Sequence, residues 1–204
     1  MDLDTMRARV RTDLRDPSAE RWDDDTLDRH IERALGELSL AAPREVTATL
    51  TTTAGSRDLD LSALAGVIAI DGVEFPVGQY PPAFVPFAIW GDTLTLEVDG
   101  APLDGEEVHV RYSAAHALDA EGTTVPDALH DLVATGAAAY AAIEWASYAT
   151  NRINVGGDDV WRRYLAWGQD RLASFSRALA KHGRERRLKS RRLYVASAAA
   201  VGRR

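Results

Sequence analysis

RWDDDTLDRHIERALGELSLAAPREVTATLTTT, residues 21–53, changes its period at Pro43. Before the proline, Leu27, Ile31, Leu35 and Leu38 recur at intervals of three and four, which puts them on one stripe of a helix. Asp23 or Asp24 is placed to cap that helix, and the neighbouring acids sit at the positive end of its dipole. An EF-hand loop would need alternate acids and a glutamate at its twelfth position, and here a helix follows instead, so the cluster reads as a cap. After Pro43, VTATLTTT alternates and is rich in β-branched residues, the pattern of a strand. One chain therefore holds both helix and sheet.

Toward the N-terminus, Leu3, Met6, Val10 and Leu14 give a second apolar stripe, and Pro17 closes that helix. Toward the C-terminus the β pattern lasts to Tyr112. Ala54-Gly55-Ser56 is a turn, LDLSAL a short strand edge or turn and GVIAIDGVEF a strand. PVGQYPPAFVPF carries four prolines and is confined to an edge or an extended loop, because proline lacks the ladder N–H. AIWGDTLTLEV reads as a hairpin turning at Trp90-Gly91-Asp92, and VHVRYSA as the last strand, all in one small antiparallel sheet.

Helix resumes at Thr124, where Thr124 to Asp127 resembles a capping box with Pro126 in the first turn. Leu129, Leu132, Val133, Gly136, Ala137, Tyr140, Ile143 and Glu144 trace one face, and Glu144 is expected at a boundary or paired with an arginine of the next helix. NRINVGG is a connector, and Gly157 or Asp158 caps the last helix. That helix shows Trp161, Tyr164, Leu165, Gly168, Leu172, Phe175 and Leu179 on a seam. Gly168 is expected to allow close packing against the alanine run, and Gly183 to end the helix. The expected fold is α+β, mainly α. A bundle of about four helices carries an inserted antiparallel β region and an extended basic C-terminal arm. The divisions are 1–44 and 124–182 for the bundle, 45–114 for the insertion and 183–204 for the arm.

The 204 residues suffice for one large domain or a domain with an insertion, and 46 % apolar content excludes wholesale disorder. No cysteine is present, which removes disulfides, thiolate zinc sites and thiol nucleophiles. No apolar run reaches the ~18 residues of a membrane span. MDLDTMRARV is charged from its second residue and so does not read as a secretory signal, and a soluble protein made in a cytoplasm is expected. The net charge of −7 is uneven: residues 181–204 carry +8 and residues 1–180 carry −15. A basic tail on an acidic body points to docking on something negative, either nucleic acid or an acidic protein.

Chemistry is sparse. Gly156-Gly157 lacks the Lys-Ser/Thr of a phosphate loop, and there is no Gly-x-Ser-x-Gly elbow. His30, His109, His116, His130 and His182 form no metal-ligand spacing and read as surface or boundary residues. No nucleophile, base and orienting group come together, so the chain reads as a non-enzyme without catalytic, cofactor or metal residues. The remaining features belong to surfaces. Trp22, Tyr80, Trp90, Trp145, Tyr148, Trp161, Tyr164 and Trp167 lie near element ends. Trp161 and Trp167 cannot share a helical face, so one of them is expected to face a partner. Trp145, Tyr148, Trp161 and Trp167 are the candidate subunit-interface residues. In the arm, Arg184, Arg186, Arg187, Lys189, Arg191 and Arg192 alternate with Leu188, Leu193 and Tyr194. Charge mixed with apolar grip suits a segment that orders on a protein partner.

WDDDTLDRHIERALGELS, VEFPVGQYPPAFVPFAIWGDTLTL, TTVPDALHDLVATGAAAYAA, NRINVGGDDVWRRYLAWGQDRLASF and RRLKSRRLY occur in this order. Over residues 2–195 the chain resembles the head-to-tail adaptor, or connector, proteins of tailed bacteriophages and prophages. The resemblance implies a structural virion protein in the particle neck, forming a ring, typically twelve-fold, under the portal protein. It implies that DNA passes through the ring without sequence-specific binding and that stopper, head-closure or tail proteins attach to it. It implies that Arg184–Tyr194 reach the portal or a neighbouring copy. Two other readings are another neck component, such as a head-closure or tail-completion protein, and a nucleic-acid-binding module acting through the tail.

Overall fold

The computed structural model describes residues 1–149 and 159–188. They divide into two compact units: Met1–Pro43 with the described residues from His116 onward, and Arg44–Ala115.

In the helical unit, α1 spans Leu3–Leu14 and buries Met6, Val10 and Leu14. The Asp2 carboxylate accepts the Thr5 N–H at 2.8 Å and caps its start. Arg15 stops it in the left-handed region, φ 56°, with its own N–H turned back to the Arg11 and Thr12 carbonyls. The loop that follows is built around Asp16, a buried carboxylate that accepts the N–H groups of Glu20, Arg21 and Trp22 at 3.0, 3.1 and 3.2 Å. Asp23 then caps α2, Asp24–Ala41, by accepting the Thr26 N–H at 2.8 Å. The acidic cluster is thus a helix start. Leu27, Ile31, Leu35 and Leu38 all point into the core. Arg7 joins the first two helices through a two-toothed pair with Asp28, 2.6 and 2.5 Å.

The chain returns to this unit at His116. Its ring is held between the Ala42 and Thr124 carbonyls, both 3.0 Å away, and its N–H donates to Ser39 Oγ. This changes the reading of residues 124–127. Thr124 Oγ1 is occupied by the Ala117 N–H and the His116 ring, so no capping box forms. A short 3₁₀ turn, Asp127–Leu129, leads into α3, His130–Ala149, instead.

α3 is buried on most of its circumference, which explains Ala137, Ala138, Ala139, Ala141 and Ala142: only small side chains fit on every side. The last helix, α4, spans Val160–Leu188 and does not stop at Gly183. A glycine inside a helix costs only ~1 kcal/mol. The lysine, arginine and glutamate residues around it favour helix. The connector 151–157 and its expected cap lie outside the described residues.

Gly168 and Gly136 set the α3–α4 spacing. A Cβ on Gly168 would lie 2.8 Å from Ile143 Cγ1 and 3.1 Å from the Ala139 carbonyl oxygen. Gly168→Ala therefore lowers stability, although alanine is the better helix former by ~1 kcal/mol, because forced overpacking costs about 1–3 kcal/mol. Chemical denaturation should show a net loss; a gain would mean the helices separate freely.

The β unit contains two sheets where one was expected. The first has the order β1-β7-β3-β4, with β1 Arg44–Thr51, β3 Val67–Glu74, β4 Phe84–Val85 and β7 Glu107–Ala114. The second has the order β2-β6-β5, with β2 Asp58–Asp60, β5 Phe87–Trp90 and β6 Thr93–Leu96. Every pairing is antiparallel. The division falls at Pro86, between β4 and β5: a residue without an N–H cannot continue the ladder, and the chain leaves one sheet for the other. The proline-rich segment does occupy an edge, as β4. β1 and β7 pair along all eight residues, from Arg44 opposite Ala114 to Thr51 opposite Glu107, so the unit's two ends are neighbours. Leu59, Leu94 and Leu96 from one sheet share a core with Val73, Val108 and Val110 from the other.

Candidate functional site

Among the described residues, no group of three or more histidine or carboxylate side chains could hold a metal ion. No helix among them is long and apolar enough to cross a membrane. Three histidines expected at the surface are buried: His30, His116 and His130. Their partners are backbone carbonyls for His116 and His130 and a carboxylate of α3 for His30. His130 Nε2 is 2.9 Å from the Val125 carbonyl, and His116 clamps the return of the chain. His30, on α2, has Nε2 3.1 Å from Glu144 Oε2, without the alignment of a hydrogen bond.

Glu144 accepts from Arg29 at 2.6 and 2.8 Å. Its partner is thus on α2, not on the following helix, and Glu144 stands half-exposed at the boundary that was the other expectation. Burial holds the His30 imidazole below its usual pKa; Glu144 opposes that effect, while Arg29 and Arg33 reinforce it. A histidine whose folded pKa is depressed is stable as the neutral form. Its contribution is complete above pH ~6.5 and declines as the pH falls through the lower, folded value. Stability should therefore fall on acidification below pH ~6.5 less steeply in His30→Gln than in the parent, as read by denaturation curves at several pH values. Identical slopes would contradict this.

The candidate interface residues separate. Trp145 is half-buried within an aromatic cluster of its own chain. Its ring centroid is 6.2 Å from Trp22 and 4.9 Å from Tyr164. The Arg21 guanidinium lies 5.2 Å from Trp145 and 5.4 Å from Tyr164, and donates to the Tyr164 hydroxyl at 2.7 Å. Trp22 is buried, with its indole N–H donating to the Ala141 carbonyl. Trp167 packs on the helical core, with Arg171 4.9 Å from its ring. Trp161 is half-buried beneath Arg162, and Tyr148 is exposed at the end of α3.

The most exposed aromatics are elsewhere. Tyr80 is 99 % exposed and Trp90 91 %. Both precede a turn-forming residue, Pro81 and Gly91. That was the available signal, since a side chain at a hairpin tip has no facing strand to cover it. On the helical unit, Asp13, Leu14, Arg15, Arg163, Tyr164 and Trp167 line an open groove of about 280 Å³. Of the arm residues, Arg184 is exposed on α4, and Arg186, Arg187 and Leu188 fall in its last turn. Lys189, Arg191, Arg192, Leu193 and Tyr194 lie outside the described residues.

The geometry offers surfaces, a groove and exposed aromatic rings. A family model described as SU10 adaptor protein matches residues 1–196. No curated protein matches the chain. Among solved structures, the neck of an empty GTA particle computed with C6 symmetry is similar. It shows 13 % identity over 82 % of this chain and 88 % of that one, with a TM-score of 0.31. The match across nearly the whole chain shows that it belongs to the SU10 adaptor protein family, structural adaptors of the phage head-to-tail neck.

Proposed function

We propose that copies of this chain form a ring beneath the portal in the neck of the phage particle. The ring extends the DNA channel, and its far side receives stopper or tail proteins. The observation that carries this reading is the family match over residues 1–196, which takes in both units and most of the basic segment.

Physical features support it. A cyclic ring requires a contact between two different faces of the same chain. The helical unit and the β unit supply chemically distinct exposed surfaces for one. The −15 balance of residues 1–180 repels phosphates and suits a wall that DNA passes without adhering. Arg184, Arg186, Arg187, Leu188, Lys189, Arg191, Arg192, Leu193 and Tyr194 then form the portal-docking segment. Arginine forks onto carboxylates while the apolar residues fill portal crevices.

Co-sedimentation with portal rings from the same phage tests this. The expected result is a complex with several copies per portal ring. A chain that remains a monomer and ignores the portal would overturn the reading.

A further inference from the structure

We propose that the β5–β6 hairpin tip of one copy seats its Trp90 in the α1–α4 groove of the next copy, with Asp92 facing Arg15 and Arg163. This rests on the ring reading above and assigns the contact that closes it.

The tip is a short knob braced by hydrogen bonds. Trp90 and Thr93 form the last pair, joined by Gly91 and Asp92, with Gly91 at φ 57°. The Leu61 N–H donates to the Asp92 carbonyl at 2.8 Å and ties the turn to the neighbouring β2. Docking such a tip orders little new chain, so most of the burial energy remains available for binding. Trp90 is 91 % exposed and its neighbour Ile89 is 44 % exposed. A projecting tryptophan of this kind is the usual anchor of a protein interface.

The groove has the matching size and charge. Its volume of about 280 Å³ leaves room for one large side chain. Leu14, Tyr164 and Trp167 supply apolar surface, and Tyr164 is fixed by its hydrogen bond from Arg21. Of the charged lining residues, Asp13 is paired with Arg171 at 3.5 Å, while the exposed Arg15 and Arg163 pair with no acid among the described residues. The tip carries that acid: residues 84–98 contain Asp92 and Glu97 and no lysine or arginine. Asp60, on β2 opposite Thr93, adds to the negative field. Knob and groove are different surfaces of one chain, which makes the contact head-to-tail and able to close a ring.

The test compares self-association of full-length Trp90→Ala, Asp92→Arg and Arg163→Asp with the parent, by sedimentation velocity with and without portal rings. All three positions are exposed, so melting temperatures should stay unchanged. Each single variant is expected to weaken self-association at least tenfold, and Asp92→Arg combined with Arg163→Asp to restore most of it. If the parent assembles and Trp90→Ala assembles equally well, this seat is wrong and the ring reading stands. If the parent forms no multi-copy assembly even on portal rings, both fall.

Discussion

Phe175→Ala is expected to lower the unfolding free energy by about 3–5 kcal/mol. The Phe175 ring is fully buried and meets the Tyr140 ring edge-on, with centroids 6.4 Å apart. A Cβ on Gly136 would lie 2.8 Å from the ring, so the ring occupies the space that this glycine leaves open. Ala34 closes the same space from α2. Gly136, Ala34 and the Tyr140 ring beside it offer no flexible side chain to fill the hole. Domains are stable by only about 5–15 kcal/mol, so the variant would lose a large part of its margin. In a chain of this size, each kcal/mol corresponds to roughly 2–4 °C of melting temperature, and calorimetry should show a fall of about 6–20 °C. A change below about 1 kcal/mol would mean that the three helices close around the gap.

Removing residues 189–204 should leave that melting temperature unchanged and weaken portal binding at least ~100-fold, about 2.8 kcal/mol. Among the described side chains, the apolar contacts of α4 with the core end at Leu179, so the deletion takes nothing from the described core. What it removes is Lys189, Arg191, Arg192, Leu193 and Tyr194, the larger part of the proposed docking segment. Raised salt should weaken the intact chain in the same direction, since ~1 M salt screens charges beyond about 3 Å. Charge reversal at Arg187 and Arg191 would separate the electrostatic part of docking from the apolar part. Binding titrations of the truncated and parent chains on portal rings provide the readout. Equal affinities would place the docking surface elsewhere.

Local patterns carried much of this fold. Leu27, Ile31, Leu35 and Leu38 face the core because their spacing allows nothing else, and Asp23 caps because a short acid before a helix has a free N–H to meet. Gly168 was legible as a packing glycine for a similar reason: the alanine run opposite it leaves room for close approach and for little else. The misreadings share a different cause. Thr124 failed as a cap because His116, eight residues earlier, claimed its hydroxyl. Glu144 found Arg29, 115 residues away, rather than a neighbour on the following helix. His30 is buried against Glu144, which only the packed helices bring near, and His130 against the Val125 carbonyl five residues earlier. The second sheet depended on Pro86 diverting the chain, and the proline's presence alone does not say where the strand goes next. For the candidate surfaces, choosing tryptophans by element position favoured Trp145, which its own chain largely covers. Trp90, at the turn of a hairpin read correctly from sequence, is the one left standing in solvent.

Immunogold labelling of intact particles with antibodies raised against this chain tests the central claim most directly. Gold confined to the single vertex where head meets tail is the predicted pattern. Label spread over the capsid faces, confined to the tail tip, or missing from mature particles would contradict it.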